Sequence, residues 1–415
     1  MTETISATIE GQRPTAYAAL ASAHEPARSL YVHIPFCFHK CHYCDFYSIV
    51  DTGDRHEGFL RTLIAELRAI APAAGPLRTI FIGGGTPTLL AAGLWRELLA
   101  AMAGLFDLRG LEEFTVECNP ETASAELFEV LVAGGVTRLS VGAQSFHPAH
   151  LKTLERWHDP ASVPVALELA AAAGIARRSV DLIYAIPGQT MDEWAADLDR
   201  ALALDPGVDH LSCYALTYEP NTPMTVRLRR GDFSAMDEEL EAAMFEHTAR
   251  TLGAAGFSRY EVSNFARSGA AGGACAHNMA YWRGESWLAA GPAASGHLRT
   301  AGGGWRWKNA PRLADWEEGV IAGGLPPVVD LEPPDPARAL AERLMLGLRL
   351  AEGLNAAGVR ASADALGARE ALERSIGAQA SLGYLEERDG RLVLTDAGWL
   401  HADGVAAALM ASLPA

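Results

Sequence analysis

From about residue 30 to residue 218 the chain alternates short β-branched or aromatic runs with longer Ala/Leu/Glu-rich helical patterns, and this alternation restricts the fold more than any other feature. Strands are expected near residues 30–34, 79–82, 114–117, 138–141, 179–183 and 210–216, with helices between them at 59–70, 91–103, 123–133, 160–173 and 191–204. Strands joined through helices pair in parallel by right-handed crossovers. Six such units predict an α/β fold, an open, partial (β/α)6 barrel, whose active site lies at the C-terminal ends of the strands, where the βα loops converge.

The expected organisation is an N-terminal extension at 1–29, the barrel at 30–230, a third region at 231–324, a linker at 325–336 and a C-terminal module at 337–415. The third region opens on a Glu-rich helix at 236–255, followed by a strand-like stretch at 260–265 and Gly-rich loops at 268–274 and 301–304. Prolines 326, 327, 333, 334 and 336 mark the linker. The C-terminal module reads as short helices and a hairpin at 382–394 turning on Asp389-Gly390, which is winged-helix-like. With 8 Arg, no Lys and 10 acidic residues, it suits packing or partner docking better than DNA binding.

The net charge of −17 repels polyphosphates, so nucleic acid is not an expected partner. No run of eighteen apolar residues is present, so no transmembrane helix is expected. Glu3 and Glu10 interrupt the N-terminus, which does not read as a signal peptide, and a cytoplasmic location is expected. Six cysteines, three of them within eight residues, fit a reducing compartment and a metal site better than a disulfide framework.

Those three, Cys37, Cys41 and Cys44, stand as C-x3-C-x2-C in HIPFCFHKCHYCDF, directly after the first expected strand. Three thiolates can hold three irons of a 4Fe-4S cluster and leave the fourth iron open to a small ligand. The alternative is a closed zinc site completed by His39 or His42.

The motif, in this position, resembles the radical S-adenosylmethionine family, and the run YVHIPFC…CHYCDF is similar to its coproporphyrinogen III oxidase-like branch. The resemblance spans about residues 29–413 and implies a 4Fe-4S cluster with S-adenosylmethionine on the open iron. Further motifs match in strand order: GGGTP at 83–87, ECNP with Glu117, SVGAQSF with Gln144, DLIYAIPGQ with Asp181 and CYALT with Ala215. The resemblance implies that Tyr31, Tyr43, Gly84, Gly85, Thr86, Glu117, Gln144, Arg156, Asp181 and Ala215 contact S-adenosylmethionine, with Glu117 and Asp181 on amino or ribose groups and Arg156 near the carboxylate.

Two departures divide the branch. The dehydrogenases carry a further cysteine after the third cluster cysteine, whereas Cys44 is followed here by Asp45 and Phe46. The stretch CAHNMAYW places His277, Asn278, Tyr281 and Trp282 in the HNxxYW motif of the branch's haem chaperones. Imidazole ligates haem iron, and Tyr and Trp can cover the porphyrin face. The resemblance therefore implies a haem chaperone, with haem as cargo and a haem-accepting protein, expected among respiratory membrane-associated proteins, as partner. The alternative is an oxygen-independent coproporphyrinogen III dehydrogenase. Cys275 could be a second soft ligand or a small buried hydrophobe, and His297 is a further candidate. Cys118 and Cys213 are expected to be buried and inert, and the role of His158 is open.

Overall fold

The structure, a computed structural model, describes residues 20, 24–51, 53–267 and 273–414. Six parallel strands follow one another in chain order and in space: β1 (Ala27–Ile34), β2 (Ala74–Gly84), β3 (Glu113–Cys118), β4 (Arg138–Gln144), β5 (Arg177–Tyr184) and β6 (His210–Ala215). Helices α1 (His56–Ile70), α2 (Ala92–Leu105), α3 (Ala125–Ala133), α4 (Ser162–Ala173) and α5 (Met191–Leu202) connect them.

Strands buried on both faces are ordinarily apolar throughout. Here they alternate instead. Leu30, Val32, Ile80, Ile82, Phe114, Val116, Leu139, Val141, Val180, Leu182 and Leu211 belong to the large core shared with the helices. The intervening positions are Ser29, Tyr31 and His33 on β1, Thr115 and Glu117 on β3, Arg138 and Ser140 on β4, Asp181 on β5, and His210 and Ser212 on β6. Most of this second set lines one central cavity of about 510 Å³. Period-two patterning thus turns an apolar face to the helices and a polar face to the inside of the partial barrel.

The sheet continues beyond the six strands on both sides. Past β6 lie β7 (Phe257–Arg259) and β8 (Asn264–Arg267); past β1 lie β9 (Trp287–Ala290), β10 (Ser295–Thr300), β11 (Gly303–Asn309) and β12 (Val328–Glu332). The order is β12-β11-β10-β9-β1-β2-β3-β4-β5-β6-β8-β7, with β9 parallel to β1 and the outer strands antiparallel. Three more helices belong to this part: α6 (Glu238–Ala254), α7 (Ala276–Trp282) and α8 (Leu313–Gly323).

Tryptophans anchor the outer helices. Trp95, Trp194 and Trp316 are fully buried, and their indole N–H groups donate to Pro87 O, Thr248 Oγ1 and Glu66 Oε2. Burying each ring contributes roughly 2–3 kcal/mol. Glu66 on α1 also accepts from Gly291 N and Asn309 Nδ2, both at 2.7 Å, and so ties the β9–β11 wing and α8 to the barrel. Burial pushes its carboxyl up to about 7 against the pull of these three donors.

The C-terminal module has its own core, centred on Leu344, Val359, Leu372, Leu392 and Leu409. It comprises α9 (Pro336–Gly347), β13 (Leu354–Asn355), α10 (Ala356–Ala365), α11 (Arg369–Ser381), β14 (Leu385–Arg388), β15 (Arg391–Leu394), α12 (Asp396–Leu400) and α13 (Ala402–Met410). Asp389 and Gly390 both take positive φ, as a two-residue hairpin turn requires.

The first strand begins at Ala27, inside the expected extension, the rest of which lies largely outside the described residues. Of the strand-like stretch expected at 260–265, residues 260–263 form the turn between β7 and β8, closed by Tyr260 N donating to Asn264 O and by the side chain of Asn264 on the Glu261 carboxylate, and Asn264 and Phe265 open β8. The expected linker contains β12, which pairs with β11 at the sheet edge, where flanking prolines remove no ladder hydrogen bond. Of the expected Gly-rich loop at 268–274, residues 268–272 lie outside the described residues.

Glu66→Ala removes the acceptor shared by three buried donors, of which Asn309 Nδ2 alone keeps a second partner in Gly291 O, and is expected to cost roughly 3 kcal/mol of unfolding free energy, measurable by urea titration at pH 8.

Candidate functional site

The cysteine loop leaves the C-terminal end of β1, and its base is pinned by a short parallel pairing of Phe36–Cys37 with Ile49–Val50. Cys41 is buried, while Cys37 and Cys44 are half-buried. Cys44 N donates to Cys41 O, His42 N to Leu154 O, and Met224 N to His42 O, so both flanks of the loop are held by the barrel. Thr86 Oγ1 lies 3.8 Å from Cys37 Sγ, and one Arg156 nitrogen lies 3.7 Å from Cys41 Sγ. Arg156 also donates to Gly142 O and lies beside His158 Nδ1. Burial raises the Cys37 thiol and pushes Cys44 up to about 12. Thiols in such a setting ionise on a metal, and Arg156 and Thr86 then supply donors to the thiolates. His39, one of the two histidines considered for a zinc site, stacks on Trp157 at 4.0 Å and lies against Glu155.

Next to the loop, Gly84 and Gly85 end β2. Gly84 takes φ +109°, and a Cβ on it would fall 2.5 Å from the His33 ring; a Cβ on Gly85 would fall 2.5 Å from Phe36 O. The Gly84 N–H donates to Glu117 Oε2 at 3.0 Å. Glu117 is held at about 7 by burial and then by repulsion from Asp181. Burial also raises Asp181, whose carboxylate accepts from Ser212 Oγ at 2.6 Å and from Ser140 Oγ. Tyr31, Gly84, Glu117 and Asp181 line the central cavity together with Asp45, Phe46 and Tyr47, which follow the third cysteine.

Tyr43, Gly85, Thr86, Gln144, Arg156 and Ala215 are not in that lining. Thr86 and Arg156 reach the cysteines instead, Gln144 takes φ +65° within reach of the same Gly142 position as Arg156, and Tyr43 packs into a small cluster with Leu154, Ile183 and Met224. Ala215 closes β6.

The floor of the cavity is made by α7. Its N-terminus sits on Glu113 at the start of β3, whose carboxylate accepts from the backbone N–H of Ala276 and His277, both at 3.0 Å, and from Cys275 Sγ. Arg177 pairs with the same carboxylate at 2.9 Å. Although burial raises it, Arg138, Arg177 and the two backbone donors together hold Glu113 below its ordinary range. Cys275 is thereby engaged as a donor to Glu113 rather than free as a soft ligand. His277 is buried, with Nδ1 2.9 Å from Thr79 Oγ1. That hydroxyl donates to Ser29 Oγ, so it accepts from Nδ1–H. His277 Nε2 is left with no partner in the protein, and burial lowers the imidazole to about 4, so it is neutral. Tyr281, one turn on, packs against His277 with ring centroids 4.7 Å apart and the planes tilted by 60°, and Asn278 donates to Tyr260 OH. Those three motif residues line the cavity. Trp282 does not join them: five residues beyond His277 it is rotated by roughly 140° and faces a second cleft.

The profile of the Radical SAM superfamily matches residues 31–201, and that of the HemN C-terminal domain matches residues 335–401. The chain is 37% identical to the heme chaperone HemW of Mycobacterium tuberculosis over 96% of this chain and 99% of that protein. The chain belongs to the HemW family of radical SAM proteins. It is 41% identical to the Lactococcus lactis heme chaperone HemW over 68% of this chain and 71% of that one. Its fold matches that of Escherichia coli coproporphyrinogen III oxidase (HemN), with a TM-score of 0.80 at 22% identity, covering 97% of this chain and 94% of that one. Membership implies a 4Fe-4S cluster and S-adenosylmethionine, and three thiols flanked by Thr86 and Arg156 are chemically suited to the former. No helix among the described residues is long and apolar enough to cross a membrane.

Several residues of the cavity went unread in the sequence. Arg138, Ser140, His210, Ser212, Tyr260 and Lys308 all line it. The signal was the polar parity of the strands: Arg138, Ser140 and Gly142 on β4 share a face, as do His210 and Ser212 on β6. Glu113 carried the same parity as Glu117. His297 is buried at the second cleft, with Nδ1 on Glu285 O, and burial pushes the thiol of Cys118 up to about 12.

Glu113→Gln removes a charge from a buried pair and is expected to lower the unfolding free energy by about 3 kcal/mol, read by urea titration with tryptophan fluorescence. A change below about 0.5 kcal/mol would show that α7 does not depend on this carboxylate.

Proposed function

We propose that this chain binds haem and passes it to an acceptor protein, and that Cys37, Cys41 and Cys44 carry a 4Fe-4S cluster with S-adenosylmethionine on the open iron. The observation that carries the reading is His277: a neutral imidazole, its Nδ1–H committed to Thr79, with the Nε2 lone pair unpartnered beside a central cavity. A neutral ring nitrogen fixed by a hydrogen bond on the other is the form in which histidine ligates iron. Tyr281 and Phe81 stand beside it as apolar surface for a flat ligand. Trp282, on the opposite side of α7, plays no part in this pocket.

The two assemblies divide the work by height in the barrel. Gly84 and Glu117, at the ends of β2 and β3 near the cysteine loop, and Asp181, further down on β5, offer a glycine turn and two carboxylates to the polar end of S-adenosylmethionine. Arg156 and Thr86 stabilise the thiolates, and Tyr31 forms part of the wall between the two levels, its OH paired with His33 Nδ1. When bound, the cluster supplies one-electron chemistry. The reading also draws support from Phe46, which stands where a further thiol would be needed for the dehydrogenase alternative, and from the relatives named heme chaperone HemW.

Titration of the anaerobically reconstituted chain with haem tests the ligand. His277→Ala should shift the haem absorbance band and weaken binding by about 10-fold or more, leaving about four iron and four sulfide per chain. Cys41→Ala should do the reverse, losing iron and sulfide while keeping the haem band. A wild-type haem spectrum and affinity in His277→Ala would remove this residue as the ligand.

Glu117 gives a pH test of the upper level. Its carboxyl lies at about 7, so below that pH it is protonated, and it loses the negative charge that makes it a strong acceptor for an N–H or O–H of the cofactor. Affinity for S-adenosylmethionine should therefore fall about 10-fold between pH 8 and pH 6, and Glu117→Gln should bind more weakly and without this pH dependence. Equal pH profiles for both proteins would count against a contact by Glu117.

A further inference from the structure

The second cleft, of about 440 Å³, lies between the β9–β11 wing and the C-terminal module, and the last turn of α7 forms part of its wall. In a chain with net charge −17 its lining is anomalous: five arginines, at 283, 299, 306, 343 and 391, against two glutamates, at 342 and 352. Those two carboxylates are already shared. Arg283 pairs with Glu352 through both of its donors at 2.9 Å, and Glu352 also faces Arg391; Arg306 pairs with Glu342 at 2.8 Å. Two cations remain. Arg299 has only the exposed Glu25 at 3.8 Å, and among the described residues no carboxylate lies within ion-pair distance of Arg343. Both line the same cleft, and partial burial and then repulsion from Arg299 hold the Arg343 guanidinium below its ordinary value.

The rest of the cleft is apolar and aromatic. Trp282 and Trp287 line it together with Leu340, Leu346, Leu350 and Leu354. The indole N–H of Trp282 has no partner in the protein. A guanidinium without an acidic partner and one held only by an exposed glutamate, beside tryptophan and leucine, suit a ligand with an apolar body and carboxylate groups, because Arg binds carboxylates bidentately and stacks on flat π-systems.

We infer that this cleft binds a porphyrin dicarboxylate through its carboxylates, with Arg299 and Arg343 as the anion-recognising pair and Trp282 and Trp287 against the macrocycle. The inference rests on the haem reading above and adds a second station to it, one that recognises the ligand without its iron. In the HNxxYW segment, α7 is then a wall shared by two porphyrin sites: His277 and Tyr281 face one, Trp282 the other. A protein that hands over a metalloporphyrin has use for such a station, since affinity there does not depend on breaking an iron–nitrogen bond.

Metal-free protoporphyrin IX is the probe, because it cannot use an axial ligand, and it is titrated by fluorescence into the full-length, cluster-reconstituted protein. The double variant Arg299→Gln/Arg343→Gln should bind it about 10-fold more weakly or worse, and Arg343→Lys, which keeps the charge but loses the planar fork, should fall between the double variant and wild type. The dimethyl ester of the porphyrin should bind weakly and equally to wild type and double variant. His277→Ala should leave protoporphyrin IX binding unchanged. Running the same titrations with haem distinguishes iron-loaded from iron-free ligand as the occupant of this cleft. Wild-type porphyrin affinity in the double variant, or an ester that binds as well as the diacid, overturns the inference. Loss of porphyrin binding in His277→Ala alone overturns it too and leaves the central haem site standing. Porphyrin binding that depends on the arginines, in a protein whose haem spectrum ignores His277, does the opposite: the cleft stands and the axial-ligand reading falls.

Discussion

A single buried carboxylate at the base of the third barrel strand anchors the helix that carries the HNxxYW segment. Glu113 takes two backbone N–H groups from the start of α7, a thiol from Cys275 and a guanidinium from Arg177. Without it, the helix N-terminus would present unpaired donors to a buried surface, and an unpaired arginine would lie beside them. Breaking such an arrangement is far more costly than never having built it. Three of these contacts hold the start of α7, and Arg177 holds the carboxylate that receives them. With the helix start fixed, His277 faces the central cavity and Trp282 the second cleft, at the opposite end of the barrel from the cysteines.

The polar inner face of the six strands is a second constraint, and it bears on the first. Carboxylates, hydroxyls and imidazoles inside a sheet are costly unless each finds a partner. Here they find one another across neighbouring strands: Asp181 with Ser140 and Ser212, His210 with Ser179 and Tyr260, Thr79 with Ser29 and His277. Register makes this possible, since Ser179 is opposite His210 and Asp181 opposite Ser212. The network leaves His277 Nε2 without a partner at the cavity, which is why that atom draws attention as a ligand.

The sequence disclosed the barrel because each strand is a short apolar run between helical periods, and all six fall within a few residues of the positions expected from pattern alone. The cysteine loop was equally legible, as spacing on a loop survives folding unchanged. What could not be read was pairing at a distance. Glu113 and Arg177 stand 64 positions apart and look like ordinary charges at strand starts. Arg138 sits in the middle of an apolar context, and only the sheet shows that its face is the inner one. The stretch 325–336 carries five prolines, and composition favoured a linker; the alternating Val-Val-Asp-Leu-Glu between them becomes an edge strand because β11 offers it a free ladder. Likewise HNxxYW reads as one unit in sequence, whereas helical geometry divides it.

That α7 forms the base of the cavity puts both levels into one space. His277 and Thr79 lie toward the end of the cavity where the strands begin, and Gly84 and Glu117 toward the end where they finish, beside the cysteine loop. On the reading proposed above, two ligands would share a single cavity of about 510 Å³. Each would then set the room left to the other, so occupancy at one level would be felt as a change of affinity at the other, and equally in both directions.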